Sequence, residues 1–273
     1  MSEGKIVQKT EVPATIDSLQ VDFSVLGVRS GMVLLVHSSL SAIGWVCGGA
    51  VTVIIALQEV LGATGTLVMP AHSTDLTEPS QWQNPPVPES WWSVIREKMP
   101  AYHPDLTPTR SMGVIAETFR KQKGVLRSAH PHHSFCAYGH QASTIIDNHS
   151  LEFGLGEGSP LARIYDLDGF VLLLGVGHDS NTSMHLAEYR ATYPTRRIVQ
   201  EGAPISTAGS RRWATFENMD LDSSDFEQIG EDFLCDVGPA VQRGKVGLAN
   251  CQLMPQRAVV DFAVDWLEEN RGK

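Results

Sequence analysis

Residues 32–37 read MVLLVH, and the chain continues as SSLSAIGWVCGG (38–49), AVTVIIALQEVL (50–61) and GTLVMP (65–70). The first run is apolar without alternation, as in a strand buried on both faces of a sheet. Residues Ala50–Leu61 are apolar along most of their length, begin after Gly48-Gly49 and stop at Gly62 and Gly65, which predicts a helix. Thr66–Pro70 predicts a second short strand. Strand, glycine-bearing loop, helix and strand make a βαβ unit, and that unit places the chain in the α/β class.

The rest extends this frame. Ile16, Leu19, Phe23 and Leu26 have helical spacing. Residues 1–14 are polar and are expected to be frayed. Residues 71–110, rich in proline, tryptophan and polar groups, predict a long inserted loop with a short helix at Glu89–Met99; insertions of that length in a compact domain usually serve as lids or binding loops. Ser111–Arg120 and Gln141–Asn148 predict helices, and RSAHPHHSFCAYG (127–139) a loop or short strand. Phe170–Val176 (FVLLLGV) is the strongest strand signal, followed by a helix over Thr182–Tyr193. Ile198–Gln200, Arg212–Phe216 and Gly247–Leu253 predict a later antiparallel section, Asp222–Val237 a helical insert and Val259–Glu269 a closing helix. The expectation is a single α/β domain over residues 1–273, with a mixed central sheet and flanking helices.

Composition narrows the function. A net charge of −10 argues against nucleic-acid binding, which needs a surplus of lysine and arginine, and suits attraction of a cationic small molecule. The cysteines Cys47, Cys136, Cys235 and Cys251 form no C-x-x-C pair, which speaks against a zinc ribbon or a disulfide framework. No basic-apolar leader and no run long enough to span a bilayer is read, so the chain is expected in the cytoplasm, off the membrane. Monomer and homodimer are left open.

Two segments carry candidate chemistry. His37, Ser38, Ser39, Leu40 and Ser41 follow the first strand, and Gly48-Gly49 opens the next helix. Unpaired N–H groups at a helix start, glycines permitting close approach and serine hydroxyls together suit a pyrophosphate, although neither G-K-[ST] nor G-x-G-x-x-G is present. The second segment, Gly177–Glu188, follows the strongest strand, where ligands of open α/β sheets bind. His185 and Glu188 are three residues apart on one helical face, with His178 and Asp179 in the preceding loop. A histidine beside carboxylates is a typical general base. His130, His132 and His133 invite a metal reading, but Pro131 fixes the chain between them and neither H-E-x-x-H nor a nearby carboxylate supports it, so no metal is assigned. The nucleophile elbow G-x-S-x-G of a serine hydrolase is absent; Ser159 stands in GEGSP.

The ordered set VHSSLSAIGWVCGGA (36–50), GTLVMP (65–70), WWSVIREKMPAY (91–102), TPTRSMGVIAETFR (107–120), RSAHPHHSFCAYG (127–139), SPLARIYDLDGFVLLLGVGHDSNTSMHLAE (159–188) and Trp213–Glu217 resembles the aminoglycoside 3-N-acetyltransferase family. The resemblance implies an acetyltransferase fold unlike GCN5, acetyl-CoA as cosubstrate and a polycationic amine as acceptor. It implies His185 as base, Asp179 and Glu188 as its acidic neighbours, and Glu217 as a more distant carboxylate. It also implies a coenzyme site at His37–Ser41 and Gly48-Gly49, with Ser128 and Ser134 as further contacts. Asp75, Glu78 and His178 are expected acceptor contacts. A thioesterase or amide hydrolase, and a family member acting on a non-antibiotic amine, are the alternatives.

Overall fold

The structure is a computed structural model that describes residues 2–236, 238 and 241–272. Its centre is a mixed sheet built from β1 (Val33–Ser38), β2 (Thr66–Pro70), β3 (Leu126–Arg127), β4 (Phe135–Gly139), β5 (Phe170–Leu174), β8 (Gln242–Val246) and β9 (Ala249–Pro255). The spatial order is β3-β4-β2-β1-β5-β9-β8. β1 runs parallel to β2 and β5; the outer pairings, β2 with β4, β3 with β4, β5 with β9 and β8 with β9, are antiparallel. β6 (Ile198–Thr207) and β7 (Ser210–Met219) form a separate two-stranded hairpin.

The unbroken apolar run of β1 is explained by two cores. Leu34 and Val36 face one side, with Leu172, Leu174, Leu67 and Met69. Val33 and Leu35 face the other, with Val171, Leu173 and Val68. The helices Ile16–Leu26, Ala50–Leu61 and Gly113–Arg120 cover the first side, contributing Phe23, Leu57 and Phe119. Pro160–Asp166, Ser183–Arg190, Phe226–Asp236 and Gln256–Asn270 cover the second with Ile164, Leu186, Phe233 and Val260. Each such side chain contributes roughly 1.5–3 kcal/mol on burial.

Several expectations need correction. The amino terminus is ordered into a helix, Glu3–Lys9. The later section is antiparallel but divided: among the described residues β6 and β7 pair only with each other, while β8 and β9 extend the main sheet. The helical insert spans Phe226–Asp236; the expected end at Val237 lies outside the described residues. Residues 71–110 carry two short 3-10 turns, Thr74–Leu76 and Pro79–Gln81, before the Glu89–Lys98 helix. Among the described residues, no helix is long and apolar enough to cross a membrane.

Candidate active site

The parallel strands β2, β1 and β5 end on the same edge of the sheet. A cleft of about 760 Å³ opens there. Each strand feeds it: β1 supplies His37 and the Ser38–Ser41 turn, β2 supplies Pro70 and His72, and the segment after β5 supplies Asp179, Ser180, Thr182 and His185. Gly49, Ser111–Val114, and Glu3 and Ile6 of the first helix complete the walls. The crevice therefore holds the imidazole of residue 185 and the serine turn together.

His185 sits in the first turns of the Ser183–Arg190 helix. Its Nδ1 lies 2.5 Å from Glu188 Oε2, and the Phe226 ring packs 4.8 Å from its centroid. Glu188 is fully buried; its Oε1 lies 2.5 Å from Arg271 Nη1 and accepts the Asp222 N–H at 3.0 Å. Arg271 is also held by both carboxylate oxygens of Asp225. A buried carboxylate needs this much compensation, because an unpaired charge there would be prohibitive. As an acceptor-only group, ionised Glu188 keeps the proton on Nδ1 of His185 and leaves Nε2 with a lone pair. Glu188 is thus the ring's orienting partner. Asp179 lines the cleft, but its carboxylate accepts from the Ser180 hydroxyl at 3.3 Å rather than from His185.

The serine turn is pinned from behind. The Ser39 N–H donates to Leu174 O at 3.0 Å, and the Ser39 and Ser41 hydroxyls lie 3.2 Å apart. Gly175, at φ +70°, lets the chain leave β5 directly behind this turn; a Cβ there would fall 2.4 Å from Ala42 Cβ. Gly49 precedes the Ala50–Leu61 helix at φ 62° and ψ −135°, a conformation open to glycine, and a Cβ built on it meets no atom within 4 Å. A ligand can approach that backbone. Gly48 does not line the cleft; a Cβ there would strike Thr52 Oγ1 at 2.6 Å.

His37 and His72 are held neutral. Burial, then the proximity of His185, lowers each to about 3. His72 follows β2 much as His37 ends β1, so the strand-end rule could have identified it from the sequence.

Other expected site residues lie elsewhere. Ser128 is buried: its hydroxyl oxygen accepts from Phe135 N at 2.9 Å and lies 2.9 Å from His149 Nδ1. Ser134 is also buried, donating to Ala71 O at 2.6 Å and accepting from Arg127 Nε at 3.0 Å. Neither lines the cleft, because both hydroxyls are used to fold the loop that carries them. His178 is buried as well, with Nε2 3.1 Å from Gln252 Oε1 and its ring against Gly230, so it is a packing residue rather than a cleft contact. Asp75 pairs with Arg110 beside a smaller groove, and Glu78 is gripped by Arg96. Glu217 is exposed on β7, where its Oε1 accepts weakly from Gln200 Nε2 at 3.4 Å. The sequence reading missed Arg271, His72 and the Ser111–Val114 wall, and it did not connect Asp222 and Asp225 with the His185–Glu188 pair; Arg271 and Asp222 reach Glu188, and Asp225 reaches Arg271, only through tertiary folding.

Comparisons with known proteins agree with this architecture. The profile of the family described as aminoglycoside 3-N-acetyltransferase matches residues 35–268. The SPbeta prophage-derived aminoglycoside N(3')-acetyltransferase-like protein YokD of Bacillus subtilis (strain 168) is 48% identical over 270 residues, covering 98% of each chain. The crystal structure of YokD superposes with a TM-score of 0.95, 47% identity and 98% of each chain covered. AAC-IIIb in binary complex with CoASH superposes with a TM-score of 0.85 at 32% identity, covering 96% of this chain and 99% of its own. AAC-VIa bound to sisomicin gives a TM-score of 0.85 at 30% identity, with 96% and 100% covered. With the profile spanning most of its length and relatives matched end to end, the chain is an acyltransferase that belongs to the aminoglycoside 3-N-acetyltransferase family.

Proposed function

We propose that the protein transfers the acetyl group of acetyl-CoA to the 3-amino group of an aminoglycoside, with His185 as general base and no acyl-enzyme. The observation that carries this reading is that the His185–Glu188 pair and the Ser38–Ser41 turn face one cleft. The CoASH and sisomicin complexes of the structural relatives support the two substrates.

An ammonium group has no lone pair, so the acceptor must first lose a proton. His185 Nε2 takes it, while Glu188, fixed by Arg271, stabilises the imidazolium that forms. The amine nitrogen attacks the thioester carbonyl carbon. The C–N bond forms, and negative charge collects on the carbonyl oxygen. Donors of the Ser38–Ser41 turn lower that barrier by roughly 2.7–4 kcal/mol for each well-placed group. The C–S bond then breaks as the attacking nitrogen gives up its second proton to solvent, and the leaving thiolate recovers the first proton from His185. Gly49 and the serine turn hold the coenzyme.

Electrostatics favour a cationic acceptor. The chain carries a net charge of −10, and His37 and His72 add no positive charge to the cleft near neutral pH. Asp179, exposed on the cleft wall, offers such an acceptor a carboxylate. Glu217, Asp75 and Glu78 act as outer contacts, the last two in exchange for their arginine partners. The reading places the enzyme in the cytoplasm, as a monomer or homodimer.

The test is CoA release from acetyl-CoA with and without an aminoglycoside, together with mass measurement of the acceptor. Release that depends on the amine, with one acetyl added per CoA, is expected. Equal release without any amine would instead mark a thioesterase.

A further inference from the structure

The turn between β3 and β4 is organised by His130. Its Nδ1 accepts the N–H groups of His132 at 3.1 Å and His133 at 2.9 Å, while its Nε2 lies 3.2 Å from Leu151 O. A ring that accepts twice at Nδ1 carries its proton on Nε2 and donates it to that carbonyl. Both backbone amides of the turn are thereby clamped, and with them the orientation of the two following rings. The His132 and His133 rings stand 82° apart with centroids separated by 6.0 Å. Glu201 reaches them from β6, its Oε2 2.8 Å from His132 Nδ1. One nitrogen of each ring and one carboxylate oxygen fall within 4.8 Å of one another.

The geometry points to a divalent transition-metal site at His132, His133 and Glu201, suited to a zinc-class cation. His132 turns its Nδ1 to Glu201, and His133 Nε2 has only a long contact, 3.4 Å, with Asn218 Nδ2, which a metal can displace. The donor set, two imidazoles and one carboxylate, is that of zinc and neighbouring divalent metals; calcium and magnesium prefer oxygen alone.

Tetrahedral bonds of about 2.0–2.1 Å place ligand atoms about 3.3 Å apart, so ligand atoms lying within 4.8 Å of one another need side-chain rotations of the order of an ångström to close on a metal. Glu201, whose side chain is 20% exposed and whose Oε2 lies 2.8 Å from His132 Nδ1, has room to adjust with them. A metal competes with protons for imidazole and carboxylate ligand atoms, so affinity rises with pH. The site would tie the β6–β7 hairpin, a sheet separate from the main one, to the β3–β4 turn. It stands one residue behind the cleft, since the His133 ring packs 5.4 Å from that of His72, and it takes no part in acetyl transfer.

The experiment uses the full chain with any affinity tag removed, stripped with chelator and titrated with Zn²⁺ by calorimetry and with Co²⁺ by visible absorption. One equivalent bound, four-coordinate Co²⁺ bands and a raised Tm are expected. Glu201→Gln and His133→Asn should each weaken binding by about tenfold or more, and His140→Asn, at an exposed site, should leave it unchanged. No stoichiometric binding at tens of micromolar metal, or unaltered affinity in both site variants, overturns the proposal. Anomalous diffraction at the zinc edge from soaked wild-type crystals decides the matter without variants: a peak among the three side chains is expected, and its absence refutes the site.

Discussion

Replacement of Glu188 by Gln isolates the role of the buried carboxylate. Glu188 makes three polar contacts: His185 Nδ1 at 2.5 Å, Arg271 Nη1 at 2.5 Å and Asp222 N at 3.0 Å. Glutamine fills the same space, and its carbonyl oxygen can keep the last two. Its NH₂ must then face His185, so Nδ1 becomes the acceptor and the ring proton moves to Nε2, where the lone pair is needed. A general base in the wrong tautomer forfeits about 10²–10⁴ in kcat. Breaking a buried ion pair can cost about 3–5 kcal/mol, but Arg271 keeps Asp225, so about 1–3 kcal/mol is expected here. At about 2–4 °C per kcal/mol for a chain near this size, Tm should fall by about 2–12 °C. Thiol release with a saturating amine gives kcat, calorimetry gives the Kd for acetyl-CoA, and circular dichroism gives Tm. The reasoning requires a large loss of kcat with the coenzyme Kd within about threefold of wild type. A folded variant with kcat within about threefold of wild type would refute it.

Two further outcomes follow from the same geometry. Gly49→Ala places a side chain where φ is positive, costing about 1–2 kcal/mol, and puts a methyl group on the cleft wall; KM for acetyl-CoA should rise by about tenfold, and an unchanged KM would remove Gly49 from the coenzyme site. Burial lowers His37 and His72 to about 3 and His149 to about 4, so between those values and about 6.5 the unfolded chain binds more protons than the folded one. Stability from these groups is complete above about pH 6.5 and is lost as pH falls, at up to about 1.4 kcal/mol per pH unit for each histidine. Tm should therefore drop steeply between pH 7 and 5, and a flat profile there would contradict the burial argument.

What could be read from the sequence tracks what is buried. MVLLVH was legible because both faces of β1 are covered, which forces a continuous apolar run. β8, QRGKV, was not, because four of its residues are exposed at the sheet edge and show no apolar pattern. The Glu3–Lys9 helix buries none of its side chains and carries no periodic signal. The hairpin was detected but shortened, although Ala208 and Gly209, at φ 49° and 76°, form the kind of turn that links long paired strands. In the site, His185 and Glu188 were readable because their pairing is local to one helical turn. Arg271, which fixes Glu188 from 83 positions away, and Glu201, which meets His132 from 69 away, were not. His178 and His185 could not be separated by composition; the phase of the helix decides that the second faces the cleft while Gly230 seals the first inside.

The most direct measurement is the turnover of His185→Ala in the presence of a saturating aminoglycoside, alongside its Kd for acetyl-CoA. A folded variant that binds the coenzyme as wild type does but transfers acetyl groups at least about a thousandfold more slowly is predicted. Transfer at near wild-type rate by that variant would contradict the assignment of the base, and with it the chemistry of the cleft.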